Sequence, residues 1–211
     1  MLRRRQELEI FLEKLKSYPD PKLVFEQYTT PARVVANVVW EMVLRGDLPC
    51  YSVVDLGCGT GRFGIACALM GAEKVVGIDI DRDAVFLAVE NSKITEVERK
   101  VKWVVGDIDA VRGKFDLAVM NPPFGIKGVE RDKRFVLKGL ELAPVVYSLH
   151  LAGEKTRKFL NRLAKSYNAV VTEILRMEFE IPKTYKFHRK KWHVINVDMF
   201  RIQRIETLKN I

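Results

Sequence analysis

The chain reads as an α/β protein, a mostly parallel sheet with helices on both faces. Three observations say so. Short apolar runs alternate with amphipathic stretches along most of its 211 residues, the pattern of strands joined by crossover helices. A glycine-rich stretch, Asp55-Leu56-Gly57-Cys58-Gly59-Thr60-Gly61, follows the first of these runs and allows a sharp turn with close ligand approach. A second apolar run, Phe115–Met120, stops at Asn121-Pro122-Pro123-Phe124, as a buried parallel strand does when it meets residues that cannot donate to the ladder. The length suffices for one α/β domain with a sizeable core, and a hydrophobic content of 48% excludes a disordered chain. Residues 1–46 are expected to form a helical N-terminal extension and residues 47–211 the core.

Taken in order, Met1 to Tyr18 begins basic, then mixes Glu and Lys with Leu8, Phe11, Leu12 and Leu15. That is helical spacing, not the continuous apolar centre of a leader peptide. Thr30 and Pro31 suit the N-cap and first position of a second helix. Its apolar positions are Val34, Val35, Val38, Val39 and Met42, and Gly46 is placed to end it. Beyond it the pattern predicts strands over 51–55, 74–79, 101–105, 115–120 and 145–150. Helices are predicted over 62–70, 82–92, 137–142 and 154–165. Two last strands, 169–179 and 194–202, suit an antiparallel edge hairpin. There is no repeat, no low-complexity tract and no run near the ~20 apolar residues that cross a membrane.

Lys and Arg number 36 against 27 Asp and Glu, a net charge of +9. Such an excess favours an anionic partner, nucleic acid above all, or else is a solvated basic surface. Cys50, Cys58 and Cys67 show no CxxC spacing, and His150, His188 and His193 make no zinc signature with them. A reducing compartment, the cytoplasm, and no structural metal are expected.

The glycine loop has two readings. Gly59, Gly61 and Gly64 spell G-x-G-x-x-G, and Asp79 lies about 20 residues further on, as in a dinucleotide fingerprint. Asp55, just before the first glycine, argues the other way, since a carboxylate there repels a pyrophosphate. It suits a cationic ligand such as S-adenosylmethionine, which carries a sulfonium and an ammonium group and no phosphate. D-x-G-x-G-x-G after a strand marks methyltransferases that use it. Asp79 is then expected to accept from the ribose hydroxyls, while Asp81 and Asp83 favour the start of the next helix. Asp107 is expected to take the adenine amino group, with Ile108 packing on the ring; the other reading of Asp107 is a turn cap.

At the Asn-Pro-Pro-Phe corner, proline holds Asn121 extended. The Asn121 side-chain oxygen and the Pro122 carbonyl suit two hydrogen bonds from one planar amino group. Those bonds favour a pyramidal nitrogen with its lone pair aimed at a methyl donor, so catalysis rests on alignment and electrostatics. Pro123 stiffens the bend, and Phe124 would stack on a base taken out of its normal stack. Neither a metal nor a strong general base is required. The plainer reading is a Pro-Pro turn beside an ordinary buried Phe.

Further segments narrow the assignment: Glu26-Gln27-Tyr28-Thr29-Thr30, Tyr147-Ser148-Leu149-His150 and Tyr185-Lys186-Phe187-His188-Arg189-Lys190-Lys191. With the glycine loop and the proline corner they resemble the methyltransferase-like-five family, over nearly the whole chain. The resemblance implies a Rossmann-like class I methyltransferase with a seven-stranded sheet, S-adenosylmethionine as donor, and transfer to adenine N6 in small-subunit ribosomal RNA. It implies that Gln27, Tyr28 and Thr30 close over the cofactor and that the backbone around Gly57, Thr60 and Arg62 lines its methionine side. It also implies a small zinc-binding activator protein that adds a strand to the sheet. Lys186, Phe187, His188, Arg189, Lys190 and Lys191 are candidates to hold phosphates and stack bases, or form a solvated loop. Two other functions stay open, a protein N5-glutamine methyltransferase and a non-catalytic cofactor-binding factor in ribosome assembly.

Overall fold

Seven strands share one sheet in the order β3-β2-β1-β4-β5-β7-β6. They are β1 (Ser52–Leu56), β2 (Lys74–Asp79), β3 (Val101–Val105), β4 (Leu117–Met120), β5 (Val145–Leu151), β6 (Ala169–Pro182) and β7 (Trp192–Arg204). The structure is a computed structural model that describes residues 2–123, 129–182 and 192–205. The first five strands are parallel. β7 runs antiparallel between β5 and β6, so the expected hairpin forms at the edge with its second strand turned inward. Helices α1 (Arg5–Glu13), α2 (Ala32–Leu44), α3 (Arg62–Leu69), α4 (Arg82–Ile94), α5 (Val129–Leu142) and α6 (Glu154–Ser166) complete the described elements.

Strand periodicity explains why the sheet is covered twice. Successive side chains point to opposite faces, so Val53, Val119, Tyr147 and Leu149 join one core with α1, α2 and α3. Val54, Leu56, Ala118, Met120 and Val146 join the other with α5 and α6. β4 is buried on both faces along its whole length, as a central parallel strand must be. On α1, Leu8 and Leu12 lie one turn apart and are fully buried, each worth about 1.5–3 kcal/mol of transfer free energy. This stripe clamps the extension onto the core.

Three expectations need correction. Residues 14–31 are not helical apart from the short 3-10 turn Leu23–Phe25; Pro19 and Pro21 interrupt the pattern. α2 begins at Ala32 with Pro31 in the cap position and no side-chain cap bond. Thr30 is not its cap, because the Thr30 hydroxyl is engaged by Asn121 instead. α5 begins at Val129, earlier than the predicted 137, and the charged residues 130–134 hid its first turns from a search for an apolar stripe. Gly46 does follow the end of α2, at φ +74°, and the Asp47 amide closes back on the Met42 carbonyl at 2.9 Å. Among the described residues no helix is long and apolar enough to cross a membrane.

Candidate active site

The carboxyl ends of β1, β2 and β4 and the loop after β3 surround a cavity of about 260 Å³. Gly57 to Thr60 supply its wall after β1, Asp79 and Ile80 after β2, Gly106 to Ile108 after β3, and Asn121 to Pro123 after β4. The N-terminal segment crosses over it with Tyr18 and Phe25 to Thr30, and α5 adds Arg134 and Phe135.

The loop conformation requires its glycines. Gly57 and Gly59 have φ of +70° and +52°, a region in which side chains are strained. Both the Gly57 and Cys58 amides donate to the Ile78 carbonyl at 2.9 Å, pulling the loop over the end of β2. A Cβ on Gly59 would meet the Tyr18 hydroxyl at 2.7 Å. Tyr18 therefore leans directly on the loop, and burial pushes the pKa of its phenol up.

Asp79 accepts from the Gly59 amide at 2.8 Å and the Asp81 amide at 2.9 Å. Burial pushes its pKa up, against the pull of those two donors. Fixed in this way, the carboxylate keeps acceptor capacity at the cavity wall. Asp107 also lines the cavity. Its Oδ1 accepts from the Asp109 amide at 2.9 Å and pairs with Arg134. It thus caps the turn Ile108–Ala110 and faces the cavity, and its two readings are compatible. Arg134 pairs with Asp109 as well, at 2.7 Å, and holds that carboxyl below the usual range.

Two of the expected site residues stand behind the wall. The Asp55 side chain is buried and its Oδ2 accepts from the Gly64 amide at 2.9 Å. It tethers the start of α3 and is not among the lining residues. Its supposed direct repulsion of a pyrophosphate is thereby corrected, since the carboxylate acts on the loop. Gly61, at φ +82°, caps α3; a Cβ there would collide with Ala88 and Trp103 at 2.9 Å, so its need is packing. Arg62 does line the cavity, yet its guanidinium is spent on the N-terminal segment. It donates to the Thr30 carbonyl at 3.0 Å, the Leu15 carbonyl at 3.2 Å and the Ser17 hydroxyl at 3.3 Å. Burial lowers its pKa to about 10, which leaves it a cation at neutral pH.

Asn121 donates through Nδ2 to the Thr30 hydroxyl at 3.0 Å. Its Oδ1 is buried and has no hydrogen-bond partner among the described residues. An unmet buried acceptor costs about 1–3 kcal/mol, and such atoms in native proteins call for an explanation. Gln27 donates to Asp81 at 2.6 Å and accepts from the Lys22 amide at 2.8 Å, which ties the crossing segment to α4. Tyr28 and Thr60 line the cavity and Pro122 is buried in its wall. Phe124 and the segment Lys186–Lys191 lie outside the described residues. His150 is buried, with Nε2 2.7 Å from the Ser148 hydroxyl and its ring edge-on to Phe200, as suits a core histidine.

Sequence reasoning missed Tyr18, Phe25, Arg134 and Phe135. Nothing local marks them, because each reaches the cavity through tertiary packing. The lining fits a cationic, phosphate-free cofactor. It offers three carboxylates, Glu26, Asp79 and Asp107, and an apolar wall, and the arginine that opens α3 is turned to carbonyls and not to the glycine loop. Among the described residues no three His, Cys, Asp or Glu side chains are grouped to hold a metal.

Comparison with known proteins adds the following. Residues 43–143 match the family model of the methyltransferase small domain. The chain is 35% identical over 207 residues to the rRNA N(6)-adenosine-methyltransferase of Drosophila melanogaster, which spans 94% of this chain and 95% of that one. It is 35% identical to an uncharacterized protein of Methanocaldococcus jannaschii over 98% of each chain. Among solved structures, a candidate RNA methyltransferase from Pyrococcus horikoshii superimposes with a TM-score of 0.89 at 38% identity, over 97% of this chain and 100% of that one.

Proposed function

The chain belongs to the methyltransferase-like-five family of class I, S-adenosylmethionine-dependent methyltransferases, and we propose that it methylates adenine N6 in small-subunit ribosomal RNA. One observation carries the assignment of the acceptor group. At the wall of a cavity ringed by Asp79 and Asp107, Asn121 keeps a buried amide oxygen that has no partner among the described residues. An exocyclic amino group is the donor that would satisfy it.

In this reading Asp79 accepts from the ribose hydroxyls. Asp107 takes the adenine amino group of the cofactor once Arg134 has shifted onto Asp109, and Ile108 packs on the ring. Gly57 to Thr60 let the methionine portion approach the backbone. Residues 1–46 act as an extension that closes over the cofactor through Gln27, Tyr28 and Thr30. Bound there, S-adenosylmethionine supplies an electrophilic methyl group on a sulfonium. Asn121 Oδ1 and the Pro122 carbonyl accept hydrogen bonds from the two N–H groups of the substrate amine and hold its nitrogen pyramidal. Pro122 and Pro123 keep this pair of acceptors rigid, so alignment costs nothing further at the moment of reaction. Phe124 stacks on the extruded base. The proton leaves after transfer, when the nitrogen has become acidic.

A small activator protein would add its strand to β3, an edge of the sheet on which Val104 and Val105 are exposed. The setting is the cytoplasm. Three measurements test the reading. S-adenosylhomocysteine should raise the melting temperature, whereas NAD should not. Asn121→Ala should lower methyl transfer by ~100-fold or more while the affinity for S-adenosylhomocysteine stays nearly unchanged. Nucleoside mass spectrometry of small-subunit RNA from cells with and without the gene should differ by one N6-methyladenosine. An unchanged nucleoside profile, or label transferred to protein, would defeat the proposal.

A further inference from the structure

The contact between Asn121 and the N-terminal extension anchors the side-chain amide at the corner. A terminal amide has an acceptor and a donor end of nearly equal shape, and a half-turn exchanges them. With Nδ2 donating to the Thr30 hydroxyl at 3.0 Å, Oδ1 is the end without a partner among the described residues. The flipped amide would set its own N–H groups against the N–H groups of a substrate amine.

Thr30 is well placed to hold this amide. Its hydroxyl is not spent on capping α2. Its carbonyl is pinned by Arg62 at 3.0 Å, and the same guanidinium grips Leu15 and Ser17. The bond to Asn121 spans 91 residues of sequence, so it forms only when the extension is seated across the cavity.

We propose that Thr30 is a positioning residue for methyl transfer: its hydroxyl anchors the Asn121 side-chain amide at the corner, so that the amide is held in place to meet the substrate amino group. The inference rests on the amine-methylating role given above to Asn121. It also makes the seated extension part of the catalytic corner and not only a cover for the cofactor.

The test compares Thr30→Val, which keeps the shape and loses the hydroxyl, with Thr30→Ser, which keeps the hydroxyl. Single-turnover transfer is measured at saturating cofactor, so that any change in cofactor affinity is removed. S-adenosylhomocysteine affinity is read separately by calorimetry, and the Asn121 side-chain amide is followed by nitrogen-15 NMR. Thr30→Val should transfer ~10–100-fold more slowly, as misplacement of a reacting group implies, with the Asn121 amide resonances displaced. Thr30→Ser should recover most of the rate and the native resonances. Wild-type turnover in Thr30→Val, or a Thr30→Ser rate no better than that of Thr30→Val, would overturn the proposal. Asn121→Ala, run in parallel, separates the two levels. If it is inactive while Thr30→Val is fully active, only the role of Thr30 fails; if it is fully active, the reading of the whole corner fails.

Discussion

The Asp55 carboxylate sits beneath the glycine loop with the Gly64 amide as its donor, at 2.9 Å. Burial raises its pKa to about 7, helped by the charge of Asp79 and opposed by the Gly64 bond. A carboxyl whose folded pKa exceeds its unfolded value favours the folded state most at low pH. That contribution is present below about pH 4 and is lost as pH rises through about 7. Asp55→Asn keeps an acceptor for the Gly64 amide and has no proton to lose. The stability of the variant relative to wild type should therefore improve between pH 5 and pH 8, by ~2–4 °C in melting temperature for each kcal/mol recovered. Melts of both proteins at the two pH values decide it, and a constant difference would show that Asp55 is not ionising in this range. The same residue marks how far sequence reading reaches. Glycine and proline announce backbone geometry locally, so Gly57, Gly59 and the Asn121-Pro122-Pro123 corner were legible as one site. The partners of Asp55, Arg62 and Thr30 lie 9, 32 and 91 positions away, and no local pattern gives the direction of those side chains.

Between α1 and α2, residues 14–31 form an element of a different kind, a segment held by side chains from the core. Asn91 exchanges hydrogen bonds with the Lys16 backbone at 2.8 and 3.0 Å. Asp81 holds Lys22 and Gln27 at 2.7 and 2.6 Å. Arg62 grips three acceptors with one planar fork. Lysine carries the same charge as a compact group on a flexible stem and cannot reproduce that fork. Arg62→Lys should loosen the segment without disturbing the sheet. Bonds from a charged donor are worth about 1.5–3 kcal/mol each, so the loss of one predicts ~10–100-fold weaker binding of S-adenosylhomocysteine. Proteolysis within 14–31 should also become faster. Calorimetry and limited digestion read both, and native affinity with native protection would show that Arg62 is not the anchor. Such a segment escapes sequence analysis for a physical reason. It has no periodicity of its own, because its order comes from contacts with residues far along the chain.

Across the whole molecule, the alternation of apolar runs and helices revealed the seven strands, since the central parallel strands β1, β4 and β5 are buried on both faces and read as near-continuous apolar runs. The inward position of β7 was not legible, because the two last strands pair equally well in either order until β5 offers its edge. The surplus of charge also belongs to this scale. With +9 over 211 residues, the protein should gather phosphates and release counterions when it binds RNA. The logarithm of its association constant should then fall linearly with the logarithm of salt concentration, by about 0.7 for each phosphate contacted on a single strand. Replacing Lys186, Arg189, Lys190 and Lys191 with Gln should flatten that slope by up to ~0.7 for each cation that had touched the backbone. Affinity for S-adenosylhomocysteine, measured alongside, should be unchanged where these cations act on the RNA alone. Fluorescence anisotropy with a labelled ribosomal RNA fragment, titrated across salt concentrations, measures both slopes. An unaltered slope would mean that these cations are merely solvated and that the RNA is held elsewhere on the basic surface.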